Sequence, residues 1–221
     1  VRMRIFNPDG SEAEMCGNGL RCVAKYAYDH GRVNSLAITV ETGAGLLPVQ
    51  MFINAAGRRD RVRVNMGRPR LTRAEIPMTG PVGERVIDFE LAVLDRTFRI
   101  NCVSMGNPHC VIFVEDLATF PVATYGPAIE HHALFPRRTN VEFVEVISPQ
   151  EVRQRTWERG AGETLACSTG ASAVTVAGFL TGRTGSHLLN HLTGGDLEMS
   201  WDGRGEVFMT GPAAEVFTGE Y

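Results

Sequence analysis

Two segments of the chain repeat one pattern at an offset of 151 residues, and each contains a cysteine. The first is Glu12-Ala13-Glu14-Met15-Cys16-Gly17-Asn18-Gly19; the second is Glu163-Thr164-Leu165-Ala166-Cys167-Ser168-Thr169-Gly170. In this register Val23 falls on Val174, Gly31 on Gly182 and Arg32 on Arg183. Each cysteine ends a loop and precedes a run of helical spacing that closes at Gly-Arg. The duplication restricts the fold to two similar α/β lobes, each with a thiol at the start of its central helix.

Helices are expected over residues 18–29 and 169–181. In the first, Leu20, Val23, Ala24 and Ala27 form the i, i+3, i+4, i+7 apolar face, with Arg21 and Lys25 on the exposed side. The second, with Ala171, Ala173, Val174, Val176, Ala177, Phe179 and Leu180, is apolar nearly all round and should be buried. Gly31 and Gly182 suit left-handed C-terminal caps. A shorter helix is expected over 127–133, with Pro127 in its first turn. Period-2 alternation marks strands at Leu36-Ile38-Val40, Val62-Val64-Met66, Phe89-Leu91-Val93, Phe98-Ile100-Cys102 and Leu197-Met199-Trp201. The continuous run Val111–Val114 predicts a strand covered on both faces. The fold class is therefore α/β, with two pseudo-symmetric lobes, each a mainly antiparallel sheet wrapped around a central apolar helix. Lobe boundaries are placed at 1–64 plus 213–221 for the first and 65–212 for the second.

At 221 residues the chain accommodates two such lobes. A net charge of −3 without a basic block excludes a nucleic-acid partner as the expectation, and no apolar run approaches the roughly 20 residues of a membrane span. Five cysteines, an odd number in a chain of this length, do not read as a disulfide framework, so a cytoplasmic location is expected. Val1 is not an initiator Met, and Arg2–Phe6 reads as the middle of a strand, so upstream sequence is expected.

A thiol at a helix start lies near unpaired N–H groups and the positive end of the dipole, which lowers its pKa. The same N–H groups bind anions. The amides of Gly17 and Asn18, with those of Ser168 and Thr169, are therefore expected to clamp a carboxylate between the two thiols. One thiolate then removes the α-proton and the other thiol returns a proton to the opposite face. Cys22, Cys102 and Cys110 are assigned to packing. No metal is expected, because the Cys16 to Cys22 spacing is not that of a metal knuckle and no second pair matches it.

The segment from Asn7 to Gly19 closely resembles the first cysteine signature of diaminopimelate epimerases, and Glu158–Cys167 resembles the second. Ser104–Cys110 and Asn140–Phe143 are similar to two further motifs of that family. The resemblance implies pyridoxal-independent epimerisation of LL- to meso-diaminopimelate, without a cofactor, in lysine and cell-wall precursor synthesis. It implies Cys16 and Cys167 as acid/base residues, with His109 near the first and Glu158 near the second. It further implies that Asn7, Asn107, Asn140 and Arg159 hold the distal amino-acid end of the substrate, and that Gly17, Asn18, Ser168 and Thr169 hold the reacting carboxylate. Two features depart from the family: its opening His-Gly-x-Gly-Asn-Asp-Phe segment does not occur here, and Ser168 replaces the usual Gly after the second cysteine. A small-molecule amino acid is the expected partner, and a homodimer is among the assemblies left open. The alternatives are a related cofactor-independent racemase for an amino acid such as histidine or proline, and a truncated homologue that only binds.

Overall fold

The computed structural model describes residues 1–6, 10, 12–13, 16–43, 45–54, 57, 60–217 and 219–220. In chain order these form β1 (Ile5–Phe6), β2 (Glu12–Ala13), α1 (Gly17–Asp29), β3 (Ala37–Thr42), β4 (Gly45–Phe52), β5 (Arg61–Asn65), β6 (Phe89–Val93), β7 (Arg96–Ser104) and β8 (Pro108–Phe113). Then follow α2 (Val122–Glu130), β9 (Asn140–Ser148), β10 (Glu151–Glu158), β11 (Gly162–Thr164), α3 (Ser168–Leu180), β12 (His187–Leu192), β13 (Gly195–Ser200) and β14 (Phe208–Pro212). Two compact units result: Val1–Met66 with Phe208–Tyr221, and Gly67–Val207. The junctions fall at 66/67 and 207/208 rather than 64/65 and 212/213, because β14 pairs in register with β5.

In the first unit β3, β4, β5 and β14 form an antiparallel sheet. One line of register partners crosses it through Ile38, Val49, Val64 and Met209. Val49, Val64 and Met209 are buried, as are Met51 and Val62 on the same face. Leu20, Ala24 and Ala27 of α1 are buried where the helix packs on β3, β4 and β5. Each Val- or Leu-sized side chain buried this way contributes about 1.5–3 kcal/mol over leaving it in water.

Two side chains of α1 depart from the sequence reading. Arg21 is buried instead of exposed. It lies four residues after Gly17 and three before Ala24, on the small-residue face, where its stem can run along the helix to β14. Its Nε donates to the Pro212 carbonyl at 3.1 Å and its Nη1 to Asn18 Oδ1 at 3.0 Å. Cys22, assigned to packing, is exposed.

In the second unit the sheet order is β13-β12-β10-β9-β8-β7-β6, with β11 paired to β10. Neighbours are antiparallel except β10 with β12 and β8 with β9. The expected strand Val111–Val114 falls largely in β8, which is buried along nearly its whole length. Val141 and Phe143 of β9 face a core shared with Ile100, Cys102, Cys110, Ile112, Phe120 and Tyr125. Cys102 and Cys110 are register partners there, so both thiols do serve packing. The opposite parity of β9 and β10 carries Asn140, Glu142, Gln154 and Thr156, all buried. α3 is buried at Ser168 and from Gly170 to Gly178, as its all-round apolar pattern predicts.

The helix expected over 127–133 lies earlier, at Val122–Glu130, with Pro127 inside it. Pro121 takes the N-cap position, and its carbonyl accepts the Thr124 N–H at 3.0 Å. Pro127 removes the helical partner of the Ala123 carbonyl. Burial offsets that loss: Val122, Tyr125 and Ile129 enter the core, and Gly126 lies directly under Trp157, where a Cβ would come within 2.6 Å of the ring. No helix among the described residues is long and apolar enough to cross a membrane.

The duplication reaches atomic detail. Ile5 pairs with Ala13 in β1–β2, and Thr156 with Thr164 in β10–β11, the same register at the same offset. Each hairpin is braced by a two-pronged ion pair. Arg4 meets Glu12 at 2.9 and 2.8 Å, and Arg155 meets Glu163 at 2.7 and 3.1 Å. Glu12 and Glu163 are thus struts of the hairpins that lead into the two cysteines.

Candidate active site

Each signature cysteine is the N-cap of its helix. Cys16 has φ −142° and ψ 111°, Cys167 φ −125° and ψ 112°, both extended, as an N-cap requires. Cys16 Sγ accepts the Gly19 N–H and Cys167 Sγ the Gly170 N–H, both at 3.4 Å. Their carbonyls start the helical ladders, accepting from Leu20 and Ala171 at 2.9 Å each. The N–H groups of Gly17, Asn18, Ser168 and Thr169 are thereby left outside the ladder, at the positive ends of two dipoles. Ser168 sits in the helix, not in a left-handed conformation, so replacing Gly there costs the backbone nothing. The helices also end alike: Gly31 and Gly182 have φ of +65° and +68°, and the Arg32 and Arg183 N–H groups return to Ala27 and Gly178.

In the first unit, Cys16 and Asn18 are half-buried and Gly17 is buried. Asn18 Oδ1 is held by the guanidinium of Arg21. Burial lowers the pKa of Arg21, and the Cys22 and Cys16 sulfurs offset part of that. Arg21 thus puts a buried cation behind the turn that Cys16 caps. The sequence reading missed it, and its only signal was the spacing to Gly17. Asn7 lies outside the described residues.

In the second unit, Cys167 heads a chain of hydrogen bonds. Its sulfur lies 3.4 Å from Thr169 Oγ1, which accepts from Asn107 Nδ2 at 3.2 Å. Asn107 Oδ1 is 3.1 Å from His109 Nε2, and His109 Nδ1 is 2.8 Å from Glu142 Oε1. A carbonyl oxygen only accepts, so His109 donates through Nε2, and one proton is shared between Nδ1 and the carboxylate. Burial raises the Glu142 pKa, His109 pulls it back, and Glu142 Oε2 has no partner among the described residues. The resemblance placed His109 with the first cysteine; within its own unit it is linked, through Asn107 and Thr169, to the second. Glu142 was not among the expected site residues. Its signal was a charged residue in phase with Asn140 and flanked by Val141 and Phe143.

The resting state of Cys167 also differs from expectation. Burial pushes its thiol well above the ordinary cysteine value, and Glu158 and Glu142 add to this. The Thr169 hydroxyl and Gly170 N–H pull the other way but are outweighed. Desolvation and two nearby carboxylates thus overcome the helix start.

Glu158 and Arg159 open the turn between β10 and β11. Glu158 Oε1 accepts from Thr164 Oγ1 at 2.6 Å, and the Arg159 side chain is exposed, its Nη1 3.2 Å from the Arg137 carbonyl. Asn140 braces both neighbours: Nδ2 donates to the Pro108 carbonyl at 2.8 Å and Oδ1 accepts the Arg159 N–H at 2.9 Å. One N–H and one lone pair of its amide remain for a ligand. Thr169 at the start of α3, Glu158 at the end of β10 and, through Thr169, Asn107 and His109 at the start of β8 are thus linked to Cys167, whereas Asn140 braces the Arg159 backbone and the Arg159 side chain lies on the Arg137 carbonyl. Among the described residues no group of three or more His, Cys, Asp or Glu side chains is arranged to hold a metal ion.

Gly170 allows this packing. A Cβ there would stand 2.6 Å from Glu142 Oε1 and 3.1 Å from Gln154 Nε2. Gly170→Ala is expected to destabilise the protein by about 1–3 kcal/mol through overpacking. The check is the urea midpoint; an unchanged midpoint means that Glu142 can move aside freely.

A model of the diaminopimelate epimerase family matches residues 1–72 and 101–216. The chain is 58% identical over 221 residues to the diaminopimelate epimerase of Pelotomaculum thermopropionicum, covering 100% of this chain and 78% of that one. It is 54% identical over 222 residues to that of Moorella thermoacetica, covering 100% and 79%. Among solved structures, a hydroxyproline epimerase from Agrobacterium vitis is similar with TM-score 0.69 at 18% identity, over 96% of this chain and 67% of that one. A phenazine biosynthesis protein of the PhzF family from Bacillus anthracis gives TM-score 0.66 at 18% identity, over 96% and 78%. At 18% identity those two structures share the fold.

Proposed function

The chain belongs to the diaminopimelate epimerase family, and from that premise we propose how its residues carry out the epimerisation. The enzyme is an isomerase that interconverts LL- and meso-diaminopimelate. The observation that carries the mechanism is the matched pair of cysteine N-caps, each with two N–H groups left over beside its sulfur.

The substrate carboxylate sits on the leftover amides of Gly17, Asn18, Ser168 and Thr169. As the α-proton leaves, negative charge moves onto that carboxylate, and the same amides stabilise it. Cys16 and Cys167 serve opposite faces of the α-carbon. One sulfur, as thiolate, takes the proton; the other, as thiol, delivers its own, and the configuration inverts with no change of oxidation state. The buried, carboxylate-flanked Cys167 enters as the neutral thiol and is the first proton donor. Glu158 then opposes build-up of charge on that sulfur, and the Glu142–His109 pair holds Asn107 and Thr169 against it. No step calls for pyridoxal or another cofactor. Five unpaired thiols suit a reducing, cytoplasmic setting.

Substrate choice is assigned to the far end of the molecule. Diaminopimelate carries a second amino-acid head, and Arg159, Asn140 and Asn107 offer a guanidinium and two amides to it, joined by Asn7 on the motif match. Arg159→Met is expected to raise KM for diaminopimelate and to lower kcat, on the order of tenfold each, because remote binding energy places the α-carbon. Unchanged steady-state constants in that variant would reduce Arg159 to a surface charge. The substrate assignment is tested by a stereochemical assay of LL-diaminopimelate, L-proline and L-histidine in parallel. Conversion of diaminopimelate alone is expected; preference for either of the others refutes the assignment.

A further inference from the structure

Glu158 and Arg159 belong to a turn that is held from outside by a carboxylate the reaction does not use. Glu130 is the last residue of α2 and is 3% exposed. Both facts count against a carboxylate: the C-terminal end of a helix is its negative pole, and burial removes solvation. What offsets them is a set of donors. Trp157 Nε1 donates to Glu130 Oε2 at 2.8 Å and the Gly160 N–H to Oε1 at 3.0 Å. Arg138 lies at 3.7 Å, on a left-handed backbone with φ +58°.

The turn explains why those donors matter. The Ala161 N–H returns to the Glu158 carbonyl at 3.0 Å, and Gly160, in the third position, has φ +76°. This is type II geometry, which differs from type I by a flip of the central peptide. The Arg159 N–H goes to Asn140 Oδ1 and the Gly160 N–H to Glu130 Oε1, so the peptides on both sides of Arg159 are pinned. A flip of the central peptide would turn the Gly160 N–H away from Glu130.

We propose that Glu130 is a positioning residue that fixes the Glu158–Arg159 turn and so aims the Arg159 guanidinium at the distal end of the substrate. This rests on the reading of Arg159 as the distal anchor. Glu130 touches no substrate; it acts through the Gly160 N–H and the Trp157 ring, which in turn packs on Gly126 of the same helix.

The test is a double-mutant cycle on the purified protein. Glu130→Gln and Glu130→Ala are made alone and together with Arg159→Met. The Gln variant keeps the volume and one acceptor, so it remains informative where the Ala variant folds poorly. Each single Glu130 variant is expected to raise KM for diaminopimelate on the order of tenfold. Neither should add to Arg159→Met, because no guanidinium is then left to aim. The Gly160 amide should lose hydrogen-exchange protection in the Glu130 variants. Effects that multiply fully with Arg159→Met would show that Glu130 is only structural, and an unchanged KM with Gly160 still protected would show that it does not hold the turn. Should Arg159→Met itself leave KM unchanged, the distal-anchor reading fails, whereas exchange at Gly160 still decides whether Glu130 holds the turn.

Discussion

Cys16→Ala and Cys167→Ala are each expected to lower epimerisation at least about 10³-fold, within the range for losing a positioned acid or base. The two losses should be of similar size, although Cys16 is half-buried and Cys167 is buried. Inversion needs both a base and an acid in every turnover, so neither thiol can stand in for the other. The double variant should be little worse than either single one, because residues that act as a unit are non-additive. Serine at either position should recover little, since a hydroxyl is far less acidic than a thiol. Folding should survive Ala at both sites, because the lost N-cap costs only about 0.5–2 kcal/mol. The check is kcat/KM in both directions, with unfolding midpoints measured alongside. Near wild-type turnover in either single variant would rule out a two-thiol mechanism.

In the unliganded protein, iodoacetamide is expected to modify Cys22 first and Cys167 at least about a hundredfold more slowly, because the thiolate is the nucleophile. Cys22 is exposed, whereas Cys167 is buried and its thiol is pushed up by burial, Glu158 and Glu142. The sign with pH follows. A group whose pKa lies above the working range gains thiolate by a factor of about ten for each unit of pH, so the labelling rate of Cys167 should climb steeply into the alkaline range without a plateau. Glu158→Gln removes the flanking carboxylate with the larger effect on that thiol and should speed the labelling. Cys102 and Cys110, wholly buried, should stay unmodified while the protein is folded. Timed peptide mapping reads all five sites. Labelling of Cys167 at neutral pH as fast as Cys22 would mean that it rests as thiolate and is not the first proton donor.

The parts of this molecule legible in the sequence are those set by short-range pattern. The offset of 151 residues exposed both N-cap cysteines, because the cap, the first turn and the closing Gly-Arg are local features. Alternation located β3, β5, β6, β7 and β13, and the all-round apolar run of α3 announced its burial. What stayed hidden depends on partners distant in sequence. Arg21 reads as a surface charge until β14 supplies the Pro212 carbonyl, 191 residues away. Glu142 reads as strand polarity until His109 meets it across the parallel β8–β9 pair. The start of α2 was misplaced because Pro127 signals a first turn, whereas Trp157 on β10 holds the helix together around it. The depressed thiol pKa expected at a helix start failed at Cys167 because burial, and after it Glu158 and Glu142 arriving from two other strands, outweigh the helix start.

The most direct measurement is epimerisation of LL-diaminopimelate in D₂O without pyridoxal, following both isomers at low conversion. Two thiols acting on opposite faces would return a proton other than the one that leaves, because the delivering sulfur would have exchanged with solvent. The expected result is meso-diaminopimelate carrying one deuterium at the inverted α-carbon, formed while the remaining LL substrate is still unlabelled. Meso product that keeps the substrate's own hydrogen at that carbon would mean that a single base both removes and returns the proton, and would contradict paired action by Cys16 and Cys167.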